Sequence, residues 1–303
     1  MPVSRLSSPL GDKERRELLR WNRKDGQFHA VNGPFFAGQS VAAVALSSSG
    51  DTVSLRYCTG TVQVRQWASL SRERPAEPSK PCTNGELKGI QRFSADGHRL
   101  FVAVGKRISM FTATAGSWSE KSMPAVDEEI EALAVDKSGS QVAAATNVSR
   151  RLHIWTIDAE NNTSDSTVSE PGNSNVNVLE FSEDGQTILA GTEEDGLIVW
   201  DPKSNKQNRV STLHRRGITT LATGLRDGRP VALSAEKDGQ IVICRMDAGQ
   251  HESCGVMARL GTSVLTMYTD RSLLNVVIGA DKLYSFDLNR AAMLSRAKMQ
   301  ALR

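Results

Sequence analysis

The chain lacks the features that mark membrane, secreted and metal-binding proteins. None of its apolar runs approaches the roughly 18 residues that a membrane-spanning helix needs. Residues 1–13 contain no apolar segment like that of a secretory signal. The four cysteines form no CxxC pair and have no histidines at metal-binding spacing; they are Cys58, Cys82, Cys244 and Cys254. We therefore expect reduced cysteines, no bound metal and a cytoplasmic location.

The familiar catalytic motifs are missing too. The sequence contains no GxSxG, HExxH, P-loop or GxGxxG segment. Its five histidines are spread thinly along the chain. These absences predict a protein that is not an enzyme and that uses no cofactor.

Charge is nearly balanced and aromatic residues are scarce. There are 37 Lys and Arg residues against 34 Asp and Glu residues, and 5% of the chain is aromatic. A net charge of +3 is too small to indicate nucleic-acid binding unless it is concentrated on one face. Hydrophobic residues make up 39% of the chain, which is enough to bury a sizeable core.

A turn signal recurs along most of the chain. Each copy ends in a glycine, and the copies follow one another every 42 to 47 residues, at Gly50, Gly97, Gly139, Gly185 and Gly228. A short alternating apolar run precedes each turn and two more runs follow it, which is typical of β-strands. A period in the mid-forties with four strands per unit is typical of propeller blades.

Two segments resemble WD repeats. Residues 176–201 read VNVLEFSEDGQTILAGTEEDGLIVWD and end on Trp200-Asp201, and residues 21–53 follow the same plan from Trp21-Asn22. The resemblance covers nearly the whole chain, from about residue 18 to residue 288. It implies a cytoplasmic protein that docks other proteins on rigid blades.

The WD-repeat resemblance also implies residues that brace each blade. The family places a His before the first strand, a Ser or Thr on the second, an Asp in the next turn and a Trp on the third. The matching residues are Thr192, Asp195 and Trp200 in the fourth blade, and His214, Ser234 and Asp238 in the fifth. Cys244 occupies the Trp position of the fifth blade.

The predicted fold is all-β, a β-propeller of four-stranded antiparallel blades. Six complete blades begin at Val41, Ile90, Ile130, Val176, Ile218 and Val264, after a partial N-terminal blade. We divide the chain into an N-terminal extension (1–15), the propeller (16–288) and a C-terminal outer strand or short basic helix (289–303).

The partial blade leaves ring closure open, because unpaired strand edges are normally avoided. Three explanations remain: six blades with an N-terminal flap, a strand supplied by residues 1–13, or a chain that is the C-terminal part of a longer, seven-bladed protein. We favour the third. If the ring closes by itself, we expect a monomer.

Strand order places two kinds of loop on one face of the predicted propeller: those between second and third strands, and those between blades. These loops carry the basic residues Lys106, Arg107, Arg150, Arg151, Arg215 and Arg216. Arginine suits bidentate contact with carboxylates. We therefore predict a protein–protein interaction scaffold or sensor module that recognises an acidic protein segment through this face.

Two other functions remain as alternatives. A hydrolase-like or lactonase-like propeller would carry a central-channel site with a bound metal, although the predicted first strands begin with Val or Ile. A nucleic-acid-binding propeller would use the basic face and would show strongly salt-dependent binding.

Overall fold

The computed structural model describes twelve ranges of the chain: residues 19–22, 27–30, 41–66, 89–164, 167–169, 174–194, 196–204, 206–211, 213–246, 254–270, 273–278 and 282–290. All regular structure within these ranges is β-strand. The described part of the chain therefore holds no helix that could cross a membrane. The chain divides into two compact units, which we describe separately.

Unit 1 comprises residues 1–130, 137–140 and 158–163. It contains a two-stranded, a three-stranded and a four-stranded antiparallel sheet, each with its strands in chain order. The strands are β1 (Leu19–Asn22) and β2 (Gln27–Ala30); β3 (Val41–Leu46), β4 (Thr52–Tyr57) and β5 (Val62–Gln66); and β6 (Ile90–Phe93), β7 (Arg99–Val104), β8 (Arg107–Thr114) and β9 (Ser117–Ser122).

Unit 2 comprises residues 131–136, 141–157 and 164–303. Its three four-stranded sheets and one three-stranded sheet are also antiparallel and in chain order. The strands are β10 (Ile130–Val135), β11 (Gln141–Thr146), β12 (Arg151–Thr156) and β13 (Thr167–Ser169); β14 (Val176–Phe181), β15 (Ile188–Thr192), β16 (Leu197–Asp201) and β17 (Lys206–Ser211); β18 (Ile218–Arg226), β19 (Arg229–Glu236), β20 (Gln240–Arg245) and β21 (Cys254–Arg259); and β22 (Val264–Asp270), β23 (Leu273–Ile278) and β24 (Lys282–Asp287).

The prediction of an all-β, antiparallel architecture is confirmed. The first strands of six sheets begin at the residues expected from the sequence, from Val41 to Val264. Four sheets contain four strands, whereas the sheets β3–β5 and β22–β24 contain three among the described residues. The predicted extension, residues 1–15, and most of the predicted C-terminal segment, residues 291–303, lie outside the described ranges. Blade number and ring closure stay predictions.

The first four repeated turns share one device. The side-chain oxygen of the residue three before the glycine accepts the N–H of the residue five positions further on, as in Ser94 with Arg99 at 3.0 Å and Ser182 with Thr187 at 3.0 Å. Gly139 is required in its turn by φ 70° and by crowding, since a Cβ would lie 2.8 Å from the Cβ of Ser94. These side-chain caps fix where each hairpin turns.

The fifth turn is built differently. Strands β18 and β19 pair up to Arg226 and Arg229, so that only Asp227 and Gly228 connect them. Both residues have positive φ, 50° and 72°, as in a two-residue hairpin of type I′. The same Asp-Gly signal therefore produces two kinds of turn.

The expectation of reduced cysteines is wrong. Cys244 and Cys254 form a disulfide between β20 and β21, where they stand directly opposite each other with Cα atoms 4.1 Å apart. No cysteine in the described part of the chain is free. The pairing depends on strand register across the intervening loop, which neither cysteine spacing nor composition reveals.

The core of unit 2 lies between successive sheets. Trp200, 1% exposed, packs with Ile188, Ala190 and Ile198 against the sheet β10–β13. The opposite face of the same sheet packs Leu189, Leu197 and Val199 against the sheet β18–β21. Alternation of inward-facing residues on both faces makes these strands apolar almost throughout.

Candidate interaction site

Several loops of unit 2 lie at one end of its sheets. The antiparallel registers pair the start of each first strand with the end of the second, as Val176 with Thr192 and Ile218 with Glu236. Hence the loops before first strands and those between second and third strands meet at this end. We call this end the loop face; it comprises residues 147–151, 174–175, 193–194, 213–217, 237–239 and 261–263.

The turn between β11 and β12 presents two of the predicted partner-binding residues. Arg150 adopts φ 54°, and Arg151 opens β12 opposite Thr146; both arginines are exposed. Asn147 anchors the turn, because its Oδ1 accepts the N–H of Val176 at 3.1 Å. Val148, between anchor and arginines, is 87% exposed. The turn thus holds an apolar side chain beside two cations.

The two other predicted arginines of unit 2 precede β18. The backbone N–H groups of Arg215 and Arg216 donate to Oε2 of Glu236 at 3.2 and 2.7 Å. This fixes the backbone while the arginines remain exposed. None of the four arginines forms a side-chain ion pair or hydrogen bond with another described residue. Unit 2 therefore presents cations that its own described acids do not neutralise.

The remaining two predicted partner-binding residues belong to unit 1. Lys106 Nζ donates to the carbonyl of Asp127 at 2.6 Å. Arg107 opens β8 opposite Val104 and is exposed. In unit 1, Lys106 helps to hold its own loop and Arg107 points to no described partner.

A buried polar network lies beneath Arg215 and Arg216. His214 Nε2 is 2.6 Å from Ser234 Oγ, and His214 Nδ1 is 3.7 Å from Glu236 Oε1. Gln240 Nε2 donates to the same Oε1 at 2.8 Å and to the carbonyl of Leu213 at 3.1 Å. The side chains of His214 and Glu236 are each 1% exposed. The network ties the loop before β18 to β19 and to the start of β20.

Burial dominates the electrostatics of this network. Desolvation lowers the pKa of His214 to about 4, against a smaller opposing effect of Asp238. Desolvation also raises the pKa of Glu236, although the N–H groups of Arg216 and Arg215 favour its charged form. At neutral pH, His214 is therefore neutral.

The series Ser234, His214, Glu236 has the order of a catalytic triad but the surroundings of a brace. Ser234 is fully buried, so its hydroxyl is not accessible to a substrate. The 3.7 Å separation of His214 Nδ1 from Glu236 is too long for the hydrogen bond that orients a catalytic histidine. The network connects strands and loops.

The other predicted bracing residues lie as follows. Thr192 Oγ1, fully buried, donates to the carbonyl of Gly196 at 2.8 Å, and Trp200 lies in the core. Asp238 caps its own turn by accepting the N–H of Gln240 at 3.1 Å. Asp195 lies outside the described residues. The carboxylate beside His214 belongs to Glu236.

Sequence reasoning missed Glu236 and Gln240. The available signal was strand alternation, because Ser234 and Glu236 are two residues apart on β19 and therefore face the same side. A charged residue on a buried strand face needs internal partners. That argument would have pointed to Glu236 as a member of the network.

Unit 2 also contains a cavity at its loop face. Its volume is about 560 Å³. The turn between β19 and β20 and the link from β21 to β22 form its walls; the lining residues are Arg215, Glu236, Lys237, Asp238, Gln240, Arg259, Gly261, Thr262 and Ser263. No group of three or more His, Cys, Asp or Glu residues in the described ranges could hold a metal ion.

Comparison with known proteins identifies the fold. No family model and no curated protein matches the chain. Among solved structures, the chain is similar to the β-propeller domain of Cps50 (Swd1) from Myceliophteria thermophila, with a TM-score of 0.59, 15% identity and 86% of each chain covered. This likeness shows the β-propeller fold, as the repeats predicted. Membership of the WD-repeat family stays a prediction.

Proposed function

We propose that the protein is a non-enzymatic interaction scaffold whose loop face in unit 2 recognises an acidic protein segment. Arg150, Arg151, Arg215 and Arg216 are the residues that would contact its carboxylates. The observation that carries the proposal is that these four exposed arginines have no acidic partner among the described residues, although their loops are anchored.

Anchoring matters because ordering loops on binding costs free energy. The turn with Arg150 is tied to the next sheet through Asn147, and the backbone of Arg215 and Arg216 is tied to buried Glu236. Arginines on such loops are pre-organised for bidentate contacts. Exposed Val148 adds an apolar contact at the edge of the charged surface.

The test is charge reversal of all four arginines to Glu. We expect binding of a fluorescein-labelled Glu-rich peptide, followed by anisotropy, to weaken at least about tenfold, because complementary charge becomes repulsive. The fold should persist, since Glu236 is bonded to backbone N–H groups and not to arginine side chains.

A matched control reverses four basic residues of unit 2 that lie away from the loop face: Lys203, Lys206, Arg229 and Arg245. It changes net charge equally, so a general electrostatic effect would weaken both variants alike. Unchanged peptide binding by the folded loop-face variant would refute the proposal. Tight, salt-sensitive binding of a labelled DNA duplex would favour the nucleic-acid alternative, and a stoichiometric bound metal would favour the enzyme.

The cellular location belongs to the proposal as well. Stable disulfides such as Cys244–Cys254 are typical of oxidising compartments, whereas the sequence predicts the cytoplasm. Thiol labelling of protein extracted under acid quench would distinguish the two. Unlabelled Cys244 and Cys254 would indicate an oxidising location.

A further inference from the structure

We infer that the cavity at the loop face of unit 2 is an anchor site for one oxyanion, a carboxylate or a phosphate, of the bound segment. The inference rests on the proposed function, because it names the point at which the acidic segment is held. It adds Lys237, Thr262 and Ser263, which lie outside the four-arginine set.

The walls of the cavity are rigid. Gln240 pairs with Arg259 across β20 and β21, and the N–H of Leu260 donates to the carbonyl of Gly239 at 3.0 Å. Gly239, at φ 87°, packs so closely beneath the carbonyl of Thr262 that a Cβ could not fit. The link between β21 and β22 is therefore pressed against the turn between β19 and β20.

The acceptors that line the cavity are already used. Glu236 accepts from the N–H groups of Arg215 and Arg216 and from the side chain of Gln240. Asp238 accepts from the N–H of Gln240. Both carboxylates are thus engaged by the walls, and one of them is buried.

The donors that line the cavity are unused. The side chains of Arg215, Lys237, Thr262 and Ser263 form no hydrogen bond or ion pair with other described residues. Arg259 brings a third cation to the wall. Free donors beside occupied acceptors favour a ligand group that only accepts, and charge-assisted bonds to an oxyanion are the strongest of this kind.

The volume suits an anion carried on a larger molecule. A cavity of about 560 Å³ lies within the range of ligand sites. It exceeds the space of one carboxylate or phosphate group, so neighbouring atoms of a peptide chain can enter with it. The site therefore fits a Glu, Asp or phosphorylated side chain better than a free ion.

The test compares three labelled peptides that are identical and acidic except for one central residue: Glu, phosphoserine or Ser. Two variants remove cavity donors, Lys237→Gln and Thr262→Val, the latter with nearly the same shape. The control is Arg245→Gln, which lies at the opposite end of the strand that begins at Gln240. Binding is followed by anisotropy.

We expect Lys237→Gln to weaken the Glu and phosphoserine peptides about fivefold and Thr262→Val about threefold, since each removes a bond to a charged group. The Ser peptide should bind both variants as it binds the unmodified protein, and Arg245→Gln should change nothing. Tighter binding of phosphoserine than of Glu identifies phosphate as the anchor; equal or weaker binding identifies carboxylate.

The two proposals fail in different ways. If both cavity variants bind every peptide as the unmodified protein does, while the four-arginine reversal still abolishes binding, the anchor site is refuted and the interaction face remains. If the unmodified protein binds no acidic peptide, the proposed function fails, and the anchor site fails with it.

Discussion

Two neighbouring sheets of unit 2, β14–β17 and β18–β21, meet the same structural requirement with different residues. At the start of each first strand, Val176 pairs with Thr192 in one sheet and Ile218 with Glu236 in the other. One sheet fills this position with a small hydroxyl that bonds locally. The other buries a carboxylate that joins three segments of chain.

The third strands differ in the same way. Trp200 pairs with Ile188 on β15, whereas Cys244 pairs with Ala232 on β19. Trp200 fills its space with a large side chain, and Cys244 is small but covalently tied to the outer strand. A large apolar residue and a polar network with a disulfide are thus two ways to hold one strand arrangement.

The largest expected effect comes from Trp200→Ala. Removing a fully buried aromatic side chain leaves a cavity among Ile188, Ala190 and Ile198, so the free energy of unfolding should fall by about 3–5 kcal/mol. Denaturant unfolding measures this, with exposed Lys203→Ala as control. A loss below about 1 kcal/mol would mean that the sheet does not depend on the tryptophan.

The double change Cys244→Ser and Cys254→Ser should cost about 2–4 kcal/mol, because it restores freedom to the unfolded chain between the two residues. Using the variant avoids reducing Cys58, which is also disulfide-bonded. Adding dithiothreitol to the variant should then leave this sheet unaffected. Equal stability of variant and unmodified protein would show that the network alone suffices.

The sheet β18–β21 should also lose stability on acidification, through His214. Its folded pKa of about 4 lies below the unfolded value of 6.5, so the unfolded chain binds the proton more readily and stability falls as pH drops from about 6.5 to 4. The loss approaches roughly 3 kcal/mol at pH 4.

Glu236 offsets part of that loss. Its pKa is raised by burial, so its charged form is disfavoured in the folded protein and protonation at low pH restores some stability. Unfolding of His214→Gln, followed across this pH range, should show a flatter profile than the unmodified protein. Parallel profiles would mean that His214 does not titrate differently on folding.

The smallest effects compare single hydroxyls. Ser234→Ala leaves buried His214 Nε2 without its partner and should cost about 1–3 kcal/mol. Thr192→Val removes one local bond to Gly196 and should cost about 1 kcal/mol. Thermal unfolding of the two variants side by side tests whether the polar network is the more sensitive brace; an equal loss would refute that.

Much of the fold could be predicted because it depends on local pattern. Turn residues such as Ser182 and Gly185 act within a few residues, and the alternation in 176–181 defines a strand by itself. The positions of the first strands followed directly. Asp227-Gly228 shows the limit, because the same letters formed a tighter hairpin once the flanking strands extended to meet it.

The candidate site was predicted less completely. The exposed arginines could be assigned to one face from strand order alone, since loop placement follows topology. Glu236, the disulfide and the donors at Thr262 and Ser263 depend on which side chains meet across strands and links. Such meetings are set by register and packing over long sequence separations.

The sequence by itself thus determined the period, the strands and the turns, because these follow from hydrophobic alternation and from the conformational preferences of Gly, Ser and Asp. Only the tertiary structure decided that a histidine is kept neutral beside a buried glutamate and that two distant-looking cysteines are partners. It also decided that two segments press together around a cavity with unused donors. Those outcomes depend on desolvation and proximity, which exist only once the sheets have packed.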